Sequence, residues 1–177
     1  ETMHEFRNWR WYKGLGGGPI VDLGSHQIDI YNWFLESKPV SVMASGGVDY
    51  YEKDTHEWYD NIIALFEYQT EKGTVRASYQ TITTNSSQGY FEKFMGDQGT
   101  LSISESANKS GVYREVSAPP WDEWVNKGYL SKPEKKETPA AGEGAVVDVR
   151  ETASPESHTI PVELNDPYHQ PHLQNFF

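Results

Sequence analysis

The pattern of hydrophobic and polar positions predicts one long helix early in the chain. Gly16-Gly17-Gly18 ends the segment before it, and Pro19 suits a first helical turn, where its missing N–H costs nothing. Apolar residues then recur at helical spacing over a broad face, at Val21, Leu23, Ile28, Tyr31, Phe34 and Leu35. Lys38-Pro39 marks the end. The pattern therefore predicts a helix over Ile20–Leu35.

After this helix the pattern becomes that of β-strands. The expected strands are 40–44, 61–68, 74–84, 89–95, 100–104 and 111–117. The second and third are separated by Glu71-Lys72-Gly73, and the fourth and fifth by Gly96-Asp97-Gln98-Gly99, both typical of hairpin turns. A helix followed by hairpin-linked strands predicts an α+β fold, with an open, largely antiparallel β-sheet and helices on one face.

The chain has 177 residues, which suffices for a single domain with a hydrophobic core. Residues 131–157 contain no aromatic residue and several prolines and glycines, which predicts a long loop or insertion. The chain starts at Glu1 rather than Met and ends on Phe176-Phe177, within a helix-like pattern that follows Pro171. We therefore expect a domain that is truncated at both ends.

Composition excludes several classes of function. The net charge is −11, which does not suit nucleic-acid phosphates or anionic membrane surfaces, and the longest apolar run, Ile62–Phe66, is too short to span a bilayer. Cysteine is absent, so disulfides, thiolate catalysis and Cys-zinc sites are excluded. Aromatic residues make up 14% of the chain, which favours a folded domain with an aromatic-rich core or binding surface.

The segment 16–33 carries the clearest candidate chemistry. Asp22 and His26 are four residues apart, so on one helix they would share a face, and Asp29 lies three residues further on. Histidine titrates near neutral pH, which makes His26 a candidate general acid or base with Asp22 as its partner. The alternative is an ordinary amphipathic helix with a favourable Asp at its positive end. A metal site is a third reading, although the third and fourth ligands would have to come from His56-Glu57, His169 or His172.

Aromatic and basic residues precede the glycines. Trp11 could stack on a sugar ring while Arg10 and Lys13 bind hydroxyl or carboxylate groups, or all three could serve ordinary packing. A second aromatic cluster, formed by Tyr50-Tyr51 and Trp58-Tyr59, could cover the site or form an interface.

The string GGGPIVDLGSHQIDIYNWFL resembles the signature of the C-terminal domain in the Gfo/Idh/MocA family of nicotinamide-dependent sugar oxidoreductases. That signature is a glycine cluster, an Asp, a His four residues later and an Asp three after that. NWRWYKGLGGG, YFEKFMGDQGTLSISE and HLQNFF also resemble the family, in its order.

The resemblance implies a dihydrodipicolinate-reductase-like C-terminal domain over 1–177 that binds a sugar or polyol and pairs through its sheet in a homo-oligomer. NAD or NADP would be held mainly by an N-terminal Rossmann domain. By resemblance, His26 and Asp22 are catalytic, and Asp29 either binds substrate or supports the helix. From their own chemistry, Arg10, Trp11 and Lys13 are expected to bind substrate, and no metal site is expected. Gly17 and Gly18 would lie near the nicotinamide.

This sequence departs from a complete enzyme of that family. It has no Gly-x-Gly-x-x-Gly after a strand and no Glu-Lys-Pro motif. We therefore expect this chain to be the substrate half of an oxidoreductase and inactive alone. The alternatives are a non-catalytic carbohydrate-binding or oligomerisation module, and a different reaction such as redox-assisted glycoside cleavage or a metal-aided step. The compartment is open between cytoplasm and periplasm, with the cytoplasm favoured.

Overall fold

The computed structural model describes residues 2–87, 89–104, 107–133, 155–161, 167 and 169–176. The chain divides into two compact units, Glu1–Gly89 and Tyr90–Phe177. The predicted long segment 131–157 lies mostly outside the described residues. Its last two residues, Glu156 and Ser157, belong to a strand. Among the described residues, no helix is long and apolar enough to cross a membrane.

Five helices and seven strands make up the described structure. The helices are α1 (Met3–Arg7), α2 (Pro19–Asp22), α3 (Gly24–Leu35), α4 (Asp122–Asn126) and α5 (Gln170–Phe176), with 3₁₀ turns at Trp9–Trp11 and Ala107–Lys109. The strands are β1 (Pro39–Gly47), β2 (Asn61–Thr70), β3 (Gly73–Ile82), β4 (Glu92–Met95), β5 (Gly99–Ile103), β6 (Gly111–Arg114) and β7 (Glu156–His158). The α+β class and the antiparallel pairing are confirmed, although the strands form two sheets rather than one.

The first unit contains an antiparallel sheet in the order β1-β2-β3. Side chains alternate along β2, where Ala64, Phe66 and Tyr68 are buried while Ile63 and Leu65 are exposed. This alternation is the reason the strands could be predicted, since successive side chains point to opposite faces of a sheet. The buried face is the one that carries the helices.

Helix α3 packs on β3 at Tyr31 and Gly24. The Tyr31 hydroxyl donates to the Ser78 carbonyl at 3.2 Å. The backbone of Gly24 lies so close to Tyr79 that a Cβ at this position would be 2.8 Å from the ring carbon Cζ. These contacts hold α3 against the sheet.

The single helix expected over Ile20–Leu35 is wrong, because α2 and α3 are separated at Leu23. Leu23 has a φ of −103°, and the N–H of His26 bonds to the Leu23 carbonyl, three rather than four residues back. Glycine disfavours a helix interior, and Gly24 is also pressed against Tyr79. The spacing of Asp22 and His26 therefore does not by itself place them on one helical face.

The second unit contains an antiparallel sheet in the order β4-β5-β6-β7. An ion pair between Arg114 Nε and Glu156 Oε2, at 2.8 Å, links β6 to β7. In β7, the buried His158 places Nδ1 2.9 Å from the Ser131 carbonyl oxygen. A cavity of about 320 Å³ in this unit is lined by Gln98, Val112, Trp121, Trp124, Tyr129 and Leu130. None of the site residues expected from the sequence lines it.

Candidate functional site

An ion pair between Arg10 and Asp22 lies at the centre of the expected site. Arg10 belongs to the 3₁₀ turn Trp9–Trp11, and Asp22 is the last residue of α2. The Arg10 Nε donates to Asp22 Oδ2, and the guanidinium carbon lies 4.8 Å from the centre of the Trp9 ring. Asp22 Oδ1 has no hydrogen-bond partner in the described part of the chain, so it can still accept one from a ligand.

His26 lies in the first turn of α3 with its side chain exposed. Within the described ranges, its imidazole makes no hydrogen bond, and the recorded partner of Asp22 is Arg10 rather than His26. Asp29 is exposed on the same face, and Trp33, four residues further, is 77% exposed. This face of α3 therefore presents an imidazole, a carboxylate and an indole to solvent.

The three glycines pack against tryptophan and valine side chains. Gly18 has a φ of 77°, and a Cβ there would lie 2.8 Å from Trp58 Cγ. The Trp58 indole Nε1 donates to the Gly16 carbonyl at 2.8 Å. A Cβ on Gly17 would lie 2.6 Å from Val21 Cβ. The chain's own side chains occupy the space that a Cβ at Gly17 or Gly18 would take, so on that side these glycines permit close internal packing.

Trp11 packs among the rings of Tyr51 and His56. Its ring centre is 5.6 Å from that of Tyr51 and 4.4 Å from that of His56, and Tyr51 and His56 stack at 4.1 Å. We call Trp11, Tyr51 and His56 the aromatic cluster. Burial lowers the pKa of His56 below its ordinary value, and the nearby Asp60 carboxylate opposes this only in part. Burial therefore favours the neutral form of the His56 imidazole.

Lys13 also contacts the segment around His56. Its main-chain N–H donates to Glu57 Oε2 at 2.7 Å, and its ammonium lies 5.6 Å from the centre of the Trp58 ring. The Trp11 carbonyl accepts the N–H groups of both Glu57 and Trp58, at 2.9 and 3.2 Å. The basic and aromatic residues before the glycines are thus held by the segment that precedes β2.

Asp60, which the sequence interpretation did not single out, anchors this segment. Its side chain accepts the N–H groups of Asp49, Tyr50 and Tyr51 and the Asn61 side-chain amide, at 2.8–3.3 Å. The residue is only 1% exposed. Burial alone would raise the pKa of Asp60, but these hydrogen bonds favour the ionised form and lower the pKa to about 2.

The lowered pKa of Asp60 predicts a specific loss of stability in acid. The ordinary value is 3.8, so the ionised carboxylate stabilises the fold above about pH 4, by about 2 kcal/mol. That contribution is lost as the pH falls from about 4 to about 2. Urea denaturation of the wild type and of Asp60→Asn across this range measures it. The difference in unfolding free energy between the two should shrink with falling pH, and a constant difference would contradict the assignment.

The structure gives no support for the metal reading. No group of three His, Cys, Asp or Glu side chains that could hold a metal ion occurs in the described residues. The His56 Nδ1 is 2.9 Å from the Thr55 hydroxyl, and His56 stacks on Tyr51. The histidine before Glu57 is therefore part of the aromatic packing.

Comparison with known proteins supports the same fold. A crystal structure of an NAD-binding protein from Listeria innocua superposes with a TM-score of 0.51 over 95% of this chain at 19% identity, and the match covers 44% of that protein. A Bacillus subtilis (strain 168) protein named "Putative oxidoreductase YteT" is 36% identical over 53 residues, which are 30% of this chain and 12% of that protein. The chain thus spans less than half of the length of the relatives it matches.

The family model described as "GFO/IDH/MocA C-terminal domain" matches residues 2–102. That range contains the ion pair, His26, the glycines and the aromatic cluster. Since the model covers more than half of the chain, this protein belongs to the GFO/IDH/MocA C-terminal domain family.

Proposed function

We propose that this chain is the substrate-binding half of an oxidoreductase that transfers hydride between a nicotinamide cofactor and a sugar or polyol. The observation that carries the proposal is the exposed His26 imidazole. His26 is four residues after Asp22, which forms an ion pair with Arg10. An imidazole that makes no hydrogen bond to the described residues is available to a substrate hydroxyl, and the ion pair offers both a donor and an acceptor. Membership of an oxidoreductase family supports this reaction class.

In this proposal His26 handles the proton of the reacting hydroxyl. It accepts the proton as the carbon gives up hydride, and it returns the proton when the reaction runs in reverse. Asp22 accepts a hydrogen bond from a substrate hydroxyl through Oδ1, while Arg10 holds the other carboxylate oxygen. Arg10 also keeps the Asp22 charge balanced, so that a neutral sugar does not have to approach an uncompensated carboxylate.

The remaining expected residues have supporting roles. Trp11 and Lys13 contribute an indole and an ammonium on the side of the segment before β2, and Asp29 adds an exposed carboxylate on α3. We place these residues at the rim of the substrate site, where they select among hydroxyl patterns.

NAD or NADP supplies the hydride-transfer chemistry when it is bound, and we propose that a Rossmann domain joined to this chain holds it. The side chains of Val21 and Trp58 pack closely against Gly17 and Gly18. We therefore expect cofactor affinity to come from that second domain. Titration of NADH, followed by nicotinamide fluorescence, should show binding to the two-domain protein and none to the chain alone. The chain alone should also show no turnover. Tight NADH binding by the chain alone would contradict the assignment of cofactor binding to the second domain.

We also propose that the two-domain protein forms a homo-oligomer through the open face of the β1-β2-β3 sheet. Met43 is opposite Leu65 in the register, and both are more than half exposed. Ile63 and Ile82 share that face and are also exposed. Apolar residues grouped on one sheet face favour association with another copy of the same surface.

A charge placed on this face should separate the subunits. Leu65→Glu buries a carboxylate in the proposed interface, so the mass measured by light scattering should fall to that of a single subunit. Thr84→Glu, at an exposed position after β3, should leave the mass unchanged. An unchanged oligomer in Leu65→Glu would place the interface elsewhere.

A further inference from the structure

The buried carboxylate of Asp60 has no part in the proton transfer, yet it is the most extensively hydrogen-bonded side chain described in the first unit. Three consecutive backbone N–H groups, those of Asp49, Tyr50 and Tyr51, converge on Oδ2 at 2.8–3.1 Å. The Asp60 carbonyl in turn accepts the N–H and the hydroxyl of Thr83, both at 3.0 Å. One residue therefore ties the segment after β1 to the start of β2 and the end of β3.

The segment that Asp60 holds carries the aromatic cluster. Tyr51 donates its N–H to the Asp60 carboxylate, and its ring stacks on His56 with an interplanar angle of 11°. His56 contacts Trp11 at 4.4 Å. Hydrogen bonds that backbone N–H groups donate to this buried carboxylate thus fix the position of Tyr51, and the His56 ring packs against both Tyr51 and Trp11.

Trp11 is adjacent in the same 3₁₀ turn to Arg10, the partner of Asp22. Its carbonyl accepts the N–H groups of Glu57 and Trp58, and Trp58 in turn donates to Gly16 and packs on Gly18. The turn that presents Arg10 is therefore held at its Trp11 end by the segment that Asp60 anchors.

We propose that Asp60 is a positioning residue that sets substrate affinity, by holding the aromatic cluster against the turn that presents Arg10 to Asp22. The inference rests on the proposed function of that site. His26 lies outside this set of contacts, because α3 is fixed on β3 by Tyr31 and Gly24. Loss of the Asp60 carboxylate should therefore weaken substrate binding and leave the chemical step largely unaffected.

The test compares Asp60→Asn and Asp60→Ala with the wild type in the two-domain protein. Asparagine keeps one acceptor oxygen but presents an NH₂ group to the remaining donors, so its effect should lie between those of wild type and alanine. Asp54→Asn is the matched control, since Asp54 is an exposed carboxylate in the same segment. Hydrogen exchange of the Tyr50 and Tyr51 amides and steady-state kinetics with the sugar or polyol are the two readouts.

We expect faster exchange at both amides, and a KM that rises about tenfold in Asp60→Ala with kcat within about twofold of wild type. Asp54→Asn should match the wild type in both readouts. Partial unfolding would instead reduce kcat per protein molecule and leave KM unchanged. Tyr51→Leu, which removes the stacking and keeps the carboxylate, should raise KM in the same way and covers the case in which Asp60→Ala does not fold.

Unchanged amide exchange in Asp60→Ala would overturn the inference at its structural step. If amide exchange becomes faster in Asp60→Asn but KM is unchanged in both Asp60→Asn and Tyr51→Leu, the inference fails at its functional step. The proposed function would still stand in that case. A wild-type protein that turns over no sugar or polyol would overturn the proposed function, and this inference with it. The wild-type assay therefore separates the two failures.

Discussion

Replacing His26 by alanine in the proposed two-domain protein should lower turnover by a factor of about 10² to 10⁴, which is the usual contribution of a general acid or base. The fold should be retained, because the His26 side chain is exposed and, in the described part of the chain, makes no hydrogen bond. Stopped-flow or steady-state absorbance of the reduced nicotinamide measures the turnover, and circular dichroism checks the fold.

A matched control distinguishes this role from a general effect of removing a histidine. His172 is exposed on α5, so His172→Ala should leave turnover unchanged. Wild-type turnover in His26→Ala would rule out the proposed acid–base role.

Gly18→Ala should destabilise the chain by about 2–4 kcal/mol, the sum expected from backbone strain and overpacking. Gly18 has a φ of 77° and a ψ of 176°, a combination that L side chains rarely adopt. The added methyl group would also lie 2.8 Å from Trp58 Cγ, so the indole that bonds to Gly16 would have to move. Urea denaturation followed by tryptophan fluorescence measures the change.

Gly14→Ala is the control for this effect. Gly14 lies in the same segment, but a Cβ there meets no atom within 4 Å and its φ is not in the left-handed region. Its unfolding free energy should change by less than about 1 kcal/mol. If Gly18→Ala and Gly14→Ala lowered the unfolding free energy equally, close packing of Trp58 on Gly18 could not be the cause of the loss.

The sheets could be predicted because alternation and turn residues are local signals. Strands β1, β2 and β3 lie where the sequence predicts them, and the Glu71-Lys72 turn joins β2 to β3 as expected. The break at Leu23 could not be predicted, because it accompanies the contact of Gly24 with Tyr79, a residue 55 positions away in sequence. Strand β7, with three residues, carries too short a pattern to separate from loop.

The contacts among the candidate site residues were predictable only in part, for the same reason. The motif around Asp22 and His26 identifies the family, and Arg10 was expected to bind substrate, but its pairing with Asp22 depends on the fold. Asp60 escaped notice because a single Asp before a strand is common in sequences. Only the folded chain brings the N–H groups of Asp49, Tyr50 and Tyr51 onto its carboxylate.

The central claim is that this chain forms the substrate half of a hydride-transfer enzyme. The most direct test incubates the two-domain protein with NAD or NADP and a panel of sugars and polyols deuterated at their hydroxyl-bearing carbons. Mass spectrometry then follows the label. The account predicts deuterium on the reduced nicotinamide with at least one member of the panel, and loss of this transfer in His26→Ala. No transfer from any member with either cofactor would contradict the account.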